Sequence, residues 1–176
     1  YSGITTISSG IIRVASANAL GASTALTTVE TGAALEINGA ISIPEAITIN
    51  GDGLAAAPAG AIRIISGSGA ATLSGIINAA TMSRINSDAA STLTISTGGI
   101  SNTGGLSFGI STTGNILVTG VITGIGGITK DGAGTGKLVF SGSNTYQGAT
   151  LINVGIMQAT VNDALGSQTP GTVGYS

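Results

Sequence analysis

Apolar and polar residues change places every second position along short stretches of this chain. The stretches are ITTI (4–7), GIIRVA (10–15), ALEIN (34–38), AITIN (46–50), AIRII (61–65) and TLSGII (72–77), then TLTIS (92–96), NILVTGVIT (115–123), KLVFSG (137–142) and TLINVGIMQAT (150–160). A period of two places alternate side chains on opposite sides of an extended backbone, so these stretches predict half-buried strands. Gly, Asn, Ser and Asp separate them, and these residues tolerate positive φ and make turns. No stretch carries a sustained helical stripe. The Ala-rich LAAAPA (54–59) contains Pro58 and is flanked by glycines, which predicts a loop.

The chain also repeats itself. Tyr1 to Ser23 overlies Tyr146 to Gln168 without a gap, and nine of 23 positions are identical. They are Tyr1/Tyr146, Gly3/Gly148, Thr5/Thr150, Ile7/Ile152, Gly10/Gly155, Ile11/Ile156, Ala19/Ala164, Leu20/Leu165 and Gly21/Gly166. The offset is 145 residues throughout. The expected organisation is a single solenoid segment over 1–176, in which 1–145 is one long unit and 146–176 opens the next copy. The alternative is two related coils inside one solenoid.

Composition narrows the fold. There are 30 Gly, and only 7% of residues are charged against about 25% in an ordinary soluble domain. Aromatics are 3%, while 42% of residues are hydrophobic and mostly aliphatic. A β-sandwich gathers bulky aromatics in its core; small aliphatic residues suit a narrow cross-section with like residues stacked coil on coil. A single coil cannot bury its own apolar face, so neighbours must stack. The expected fold is all-β, a β-solenoid of roughly eight or nine coils at about 20 residues each. Strands about 4.8 Å apart would then make a rod of about 40 Å. Collagen is excluded because there is no Gly at every third position and there are three prolines. No run of about 18 apolar residues encodes a transmembrane helix. The net charge of −2 is spread singly, with no basic patch for nucleic acid. With Tyr1 first and no signal-peptide pattern, a mature fragment is expected.

The stretch Gly126 to Ala159 carries a family pattern. Gly126, Gly127, Ile128, Thr129 and Lys130 lead to Gly132–Thr135, then Ser141, Gly142, Asn144, Thr145 and Tyr146, then Gly148, Thr150, Ile152, Asn153 and Gly155. This resembles the autotransporter-associated β-strand repeat of bacterial autotransporter passengers and giant surface proteins. Tyr1 to Gly21 is similar to its second half. Gly136 and Lys137 depart from the pattern as an insertion, and Ile156 and Met157 stand where Thr-Leu is usual. The resemblance implies a right-handed parallel β-helix, extracellular or bacterial cell-surface display, a stalk, adhesin or fibre role, and no catalytic residues.

Candidate chemistry is sparse. With no His and no Cys, imidazole and thiolate sites are excluded. DGAGTGKL (131–138) superficially resembles a phosphate loop, but Asp131 stands where Gly is needed and Leu138 where Ser or Thr would reach the metal. A tight solenoid turn is expected there. Asp52, Asp88, Asp131 and Asp163 are too widely spaced for a calcium β-roll. Glu30, Glu36 and Glu45 are the densest acids. A carboxylate-based polysaccharide-active enzyme would need them in one cleft; the plainer expectation is that they solvate an apolar face and discourage lateral association. Asn38, Asn50, Asn78, Asn144 and Asn153 are expected in turns, laddered from coil to coil. Ice binding needs a regular Thr-x-Thr series, and only Thr92/Thr94 and Thr48 suggest one.

The reading that results is a non-enzymatic structural repeat of a bacterial extracellular fibre or surface stalk, with no catalytic, cofactor or metal residues. Its partners would be itself, through head-to-tail stacking or tandem repeats. An adhesin module that binds a glycan or protein on a solenoid face is the alternative.

Overall fold

The computed structural model describes residues 1–56 and 59–167. Among them are eighteen strands and no helix, and every strand pairing is parallel. The strands stack into three faces of a β-solenoid. The first face holds β1 (Thr5–Ile7), β3 (Leu26–Val29), β6 (Ala46–Gly51), the start of β9 (Ile77–Ser87), β11 (Ile100–Asn102) and β14 (Ile122–Thr123). The second holds β2 (Gly10–Val14), β4 (Ala33–Ile37), β7 (Ile62–Ile64), the end of β9, β12 (Leu106–Ile110), β15 (Ile128–Asp131) and β17 (Thr150–Ile152). The third is a separate sheet of β5 (Ser42–Ile43), β8 (Gly69–Leu73), β10 (Ser91–Ile95), β13 (Asn115–Val118), β16 (Lys137–Phe140) and β18 (Ile156–Ala159).

Register explains the core. The inward row of the second face runs Leu35, Ile62, Ile85, Phe108, Lys130, Ile152. On the third face it runs Ile43, Leu73, Ile95, Val118, Phe140, Ala159. Like side chains therefore sit one strand spacing apart, and each buried Ile or Leu contributes about 1.5–3 kcal/mol. Phe108 and Phe140 meet edge-to-face across the interior, with centroids 5.8 Å apart.

The solenoid has about seven turns, against the eight or nine expected. A turn uses 22 or 23 residues in most steps, as in Thr5 onto Thr27 and Ile77 onto Ile100, rather than about 20. One step is longer, Ile47 onto Ile77. It contains the predicted loop 54–59, of which Ala57 and Pro58 lie outside the described residues. The neck of that loop is closed by Gly60 N donating to Asp52 O at 2.9 Å. Seven coils give a rod of about 30 Å.

Most predicted stretches are strands. The runs 115–123 and 150–160 each split at a corner into two strands. Five strands were not legible as alternation: β3, β5, β11, β12 and β15. The eleven-residue β9 was missed beyond its first residue. Its exposed middle (80–82) rounds the corner between the first two faces without a turn residue, so no punctuation marks it.

Candidate functional site

The two ends of the rod are built alike. The Tyr1 hydroxyl lies 2.7 Å from the Thr5 hydroxyl, and the Tyr146 hydroxyl lies 2.5 Å from that of Thr150. Gly21 N donates to Asn18 O, and Gly166 N to Asp163 O. Both glycines have positive φ, and a Cβ on Gly21 or Gly166 would press on the Tyr1 or Tyr146 ring. Only Gly fits beneath the stacked tyrosine.

Burial at matched positions is opposite. Tyr146 is 0% exposed and Tyr1 is 72% exposed. Conversely, Ile7 is 3% and Leu20 is 2% exposed, whereas Ile152 is 52% and Leu165 is 45% exposed. The coil beneath covers one set and the coil above covers the other. Each end thus presents apolar groups that its counterpart at the other end keeps dry.

Charges gather on the outer side of the second face. Register stacks Arg13, Glu36, Arg63 and Asn86 in one row. Arg13 donates from Nε and Nη2 to Glu36 Oε2 at 2.9 and 2.6 Å, and Arg63 Nη1 donates to Glu36 Oε1 at 3.1 Å. Arg63 also grips Asp88 Oδ2 from Nε at 2.9 Å and Nη2 at 2.6 Å, while Asn86 Nδ2 donates to Asp88 Oδ1 at 2.8 Å. The bond to Asp88 raises the Arg63 pKa against the opposing effect of burial. Further along, Arg84 Nη1 reaches Asp131 Oδ2 at 3.0 Å.

Three polar side chains work inside the rod. Asn102 occupies the inward row after Ile49 and Ala79; its Nδ2 donates to Gly126 O and Gly127 O at 3.0 and 3.1 Å, and its Oδ1 accepts from Gly105 N at 3.0 Å. Asn144 accepts from Ile122 N at 2.7 Å and donates to Ala164 O at 2.5 Å. Lys130 is fully buried, and its Nζ donates to Asp131 O, Gly132 O and Val154 O at 2.6, 3.1 and 3.2 Å. Burial lowers its pKa, partly offset by the nearby Asp131 carboxylate.

The residues singled out from sequence fall differently. Glu30, Glu36 and Glu45 do not solvate an apolar face together: Glu36 and Glu45 are buried. Glu36 is held by two arginines. Glu45 accepts from the buried Thr27 hydroxyl at 2.8 Å, and its Oε2 has no partner. Glu30 accepts from Asn50 Nδ2 at 3.4 Å. They share no partner, and the described residues enclose no pocket. No three acidic groups converge among the described residues. DGAGTGKL is the turn from β15 to β16, as expected. Of the predicted turn asparagines, Asn144 is the interior clamp, Asn78 lies within β9, and no ladder of like asparagines forms. Asn102 was missed because it ends a strand and lacks a distinguishing neighbour. Thr92 and Thr94 are flanked by Ala70 and Thr72 on one side and Asn115 and Leu117 on the other, so Thr-x-Thr does not continue. A single outward row of Thr6, Thr28, Thr48, Asn78, Ser101 and Thr123 does run along the first face. Its unequal steps hid it from a fixed-period reading.

Lys130, Asn144 and Tyr146 all lie within one stretch that crosses from coil six to coil seven. Residues 128–159 match the family model of the passenger-associated-transport-repeat. This is the repeat that the motif from Gly126 to Ala159 resembles. The matched stretch runs from β15 to the end of β18, and within it Lys130, Asn144 and Thr145 add hydrogen bonds between neighbouring coils to the strand pairing. The comparisons with curated proteins and with solved structures gave no match.

Proposed function

We propose that this chain is a structural segment of a secreted or cell-surface bacterial passenger, a stiff rod extended in tandem. Residues 1–145 form one unit, and 146–176 open the next. The observation that carries this reading is the exchanged burial of Tyr1 and Tyr146 and of Ile7 and Ile152. What one end exposes is what the coil of a following or preceding copy would cover. The role is mechanical rather than catalytic. Parallel backbone hydrogen bonds run from coil to coil, and Arg13, Glu36, Arg63, Asp88, Arg84 and Asp131 are ion-paired across coils, so the rod resists bending. The passenger-repeat match supports display outside the cell.

The test is a tandem chain in which residues 1–145 are followed by the complete 176-residue sequence. Nearest-neighbour coupling predicts a single unfolding transition in urea, at a higher midpoint and with a steeper dependence than the single chain. Two independent transitions at the single-chain midpoint would remove the tandem reading.

A further inference from the structure

The matched ends do not sit on the same side of the rod. β1 pairs with β3 on the first face, whereas its sequence counterpart β17 pairs with β15 on the second. β2 pairs with β4 on the second face, whereas its counterpart β18 pairs with β16 on the third. The turn after β18 follows suit, since Asp163 O and Ala164 O meet Asn144, whose backbone neighbour Thr145 continues the first-face column from Ile122. Following that column from Thr5 through Thr27, Ile47, Ile77, Ile100 and Ile122 reaches Asn144 after six turns. Thr150, the counterpart of Thr5, comes one corner later. The 145-residue spacing is therefore six turns and one face.

The local build survives this shift. The Tyr–Thr hydroxyl contact, the positive φ at Gly10 and Gly155 and at Gly21 and Gly166, and the closing turn are present in both copies. The motif needs a strand, a corner and a coil against it; it does not need a particular face.

We propose that in a tandem array each copy is set one face around the rod from the copy before, so that a given surface returns to its starting side after three copies. This rests on the tandem reading above. The ion-paired row Arg13–Glu36–Arg63, on the second face in one copy, comes to the third in the next and then to the first. No side of the rod carries one surface continuously for longer than a single unit. A contact between two parallel rods therefore changes surface at every unit boundary instead of repeating one surface along the length. A ligand that binds one surface position finds it on all three sides of the stalk.

The chain has no cysteine, so engineered pairs report the arrangement without background. In the tandem chain, Thr6 of the second copy takes the place of Leu151, which lies beside Thr129. One variant carries Thr129→Cys in the first copy and Thr6→Cys in the second. The other carries Thr123→Cys, on the first face, with the same Thr6→Cys. Adjacent strand positions satisfy disulfide geometry and positions on different faces do not. Under mild oxidation, the Thr129 pair is expected to close at least tenfold faster. Preferential closure of the Thr123 pair in a chain that unfolds in one transition overturns the rotation and leaves the tandem reading standing. Two independent transitions with neither pair closing overturn both.

Discussion

Arg84 on β9 and Asp131 on β15 form an ion pair at 3.0 Å although a whole coil lies between them. The pair spans that coil because Gly109 of β12 sits beneath it, in register with Asn86 on one side and Asp131 on the other. A Cβ on Gly109 would press on the Arg84 guanidinium and the Asn86 side chain.

Gly109→Ala is therefore expected to push Arg84 off Asp131. Asp131 is substantially exposed, so the pair is worth no more than about 1 kcal/mol, and the loss in urea unfolding should be of that size. The Gly132 N–H, then Arg84, hold the Asp131 carboxyl below its usual value of 3.8. That stabilisation is present above pH 3.8 and is lost as pH falls through the lower folded value. In Gly109→Ala, the Asp131 titration followed by NMR should move up.

Glu36 bridges Arg13 and Arg63 in a charge cluster; if it is neutralised Arg13 loses its carboxylate partner, while Arg63 keeps Asp88. Glu36→Gln should cost about 2 kcal/mol, less than a fully buried pair because Arg13 and Arg63 reach solvent. Double-mutant cycles with Arg13→Met and Arg63→Met should show coupling to each. Additivity would mean that the cluster contributes nothing as a unit.

Lys130 places a cation in an apolar row between Phe108 and Ile152. Its pKa is lowered by burial, so the charged form is penalised in the fold. Stability should rise as pH increases from the lowered folded value towards 10.5. Lys130→Met should remove this rise. It should also leave the carbonyls of Asp131, Gly132 and Val154 without a donor, at a cost of about 1–3 kcal/mol at neutral pH.

Asn102 supplies three hydrogen bonds to buried backbone. Asn102→Ala should cost about 2–3 kcal/mol, with the Gly105 amide losing hydrogen-exchange protection before amides of the third face. Unchanged exchange at Gly105 would show that its N–H finds another acceptor.

Ile152 and Leu165 leave apolar groups exposed at the open end of the last described coil. The chain alone should associate with increasing concentration in sedimentation experiments. Ile152→Lys combined with Leu165→Lys should weaken that association at least tenfold, because each buries an unpaired charge against the neighbour. An unassociated chain at high concentration would argue against end-to-end stacking.

Alternation of aliphatic and polar residues, punctuated by Gly and Asn, was enough to predict half-buried strands, and small aliphatic side chains pointed to stacked coils. That the strands run parallel was implied only by the family resemblance. The Tyr1/Tyr146 offset and the Gly126–Ala159 motif were equally legible, since a repeat is a property of sequence. Three things were decided only in the tertiary structure. The number of turns depended on corner lengths, which no strand pattern encodes. Burial of Glu36 and Lys130 depended on which residues of other coils came into register with them. The face on which each repeat lands depended on the total of all those corners, and so no local stretch of sequence could reveal that Tyr146 begins one face further round than Tyr1.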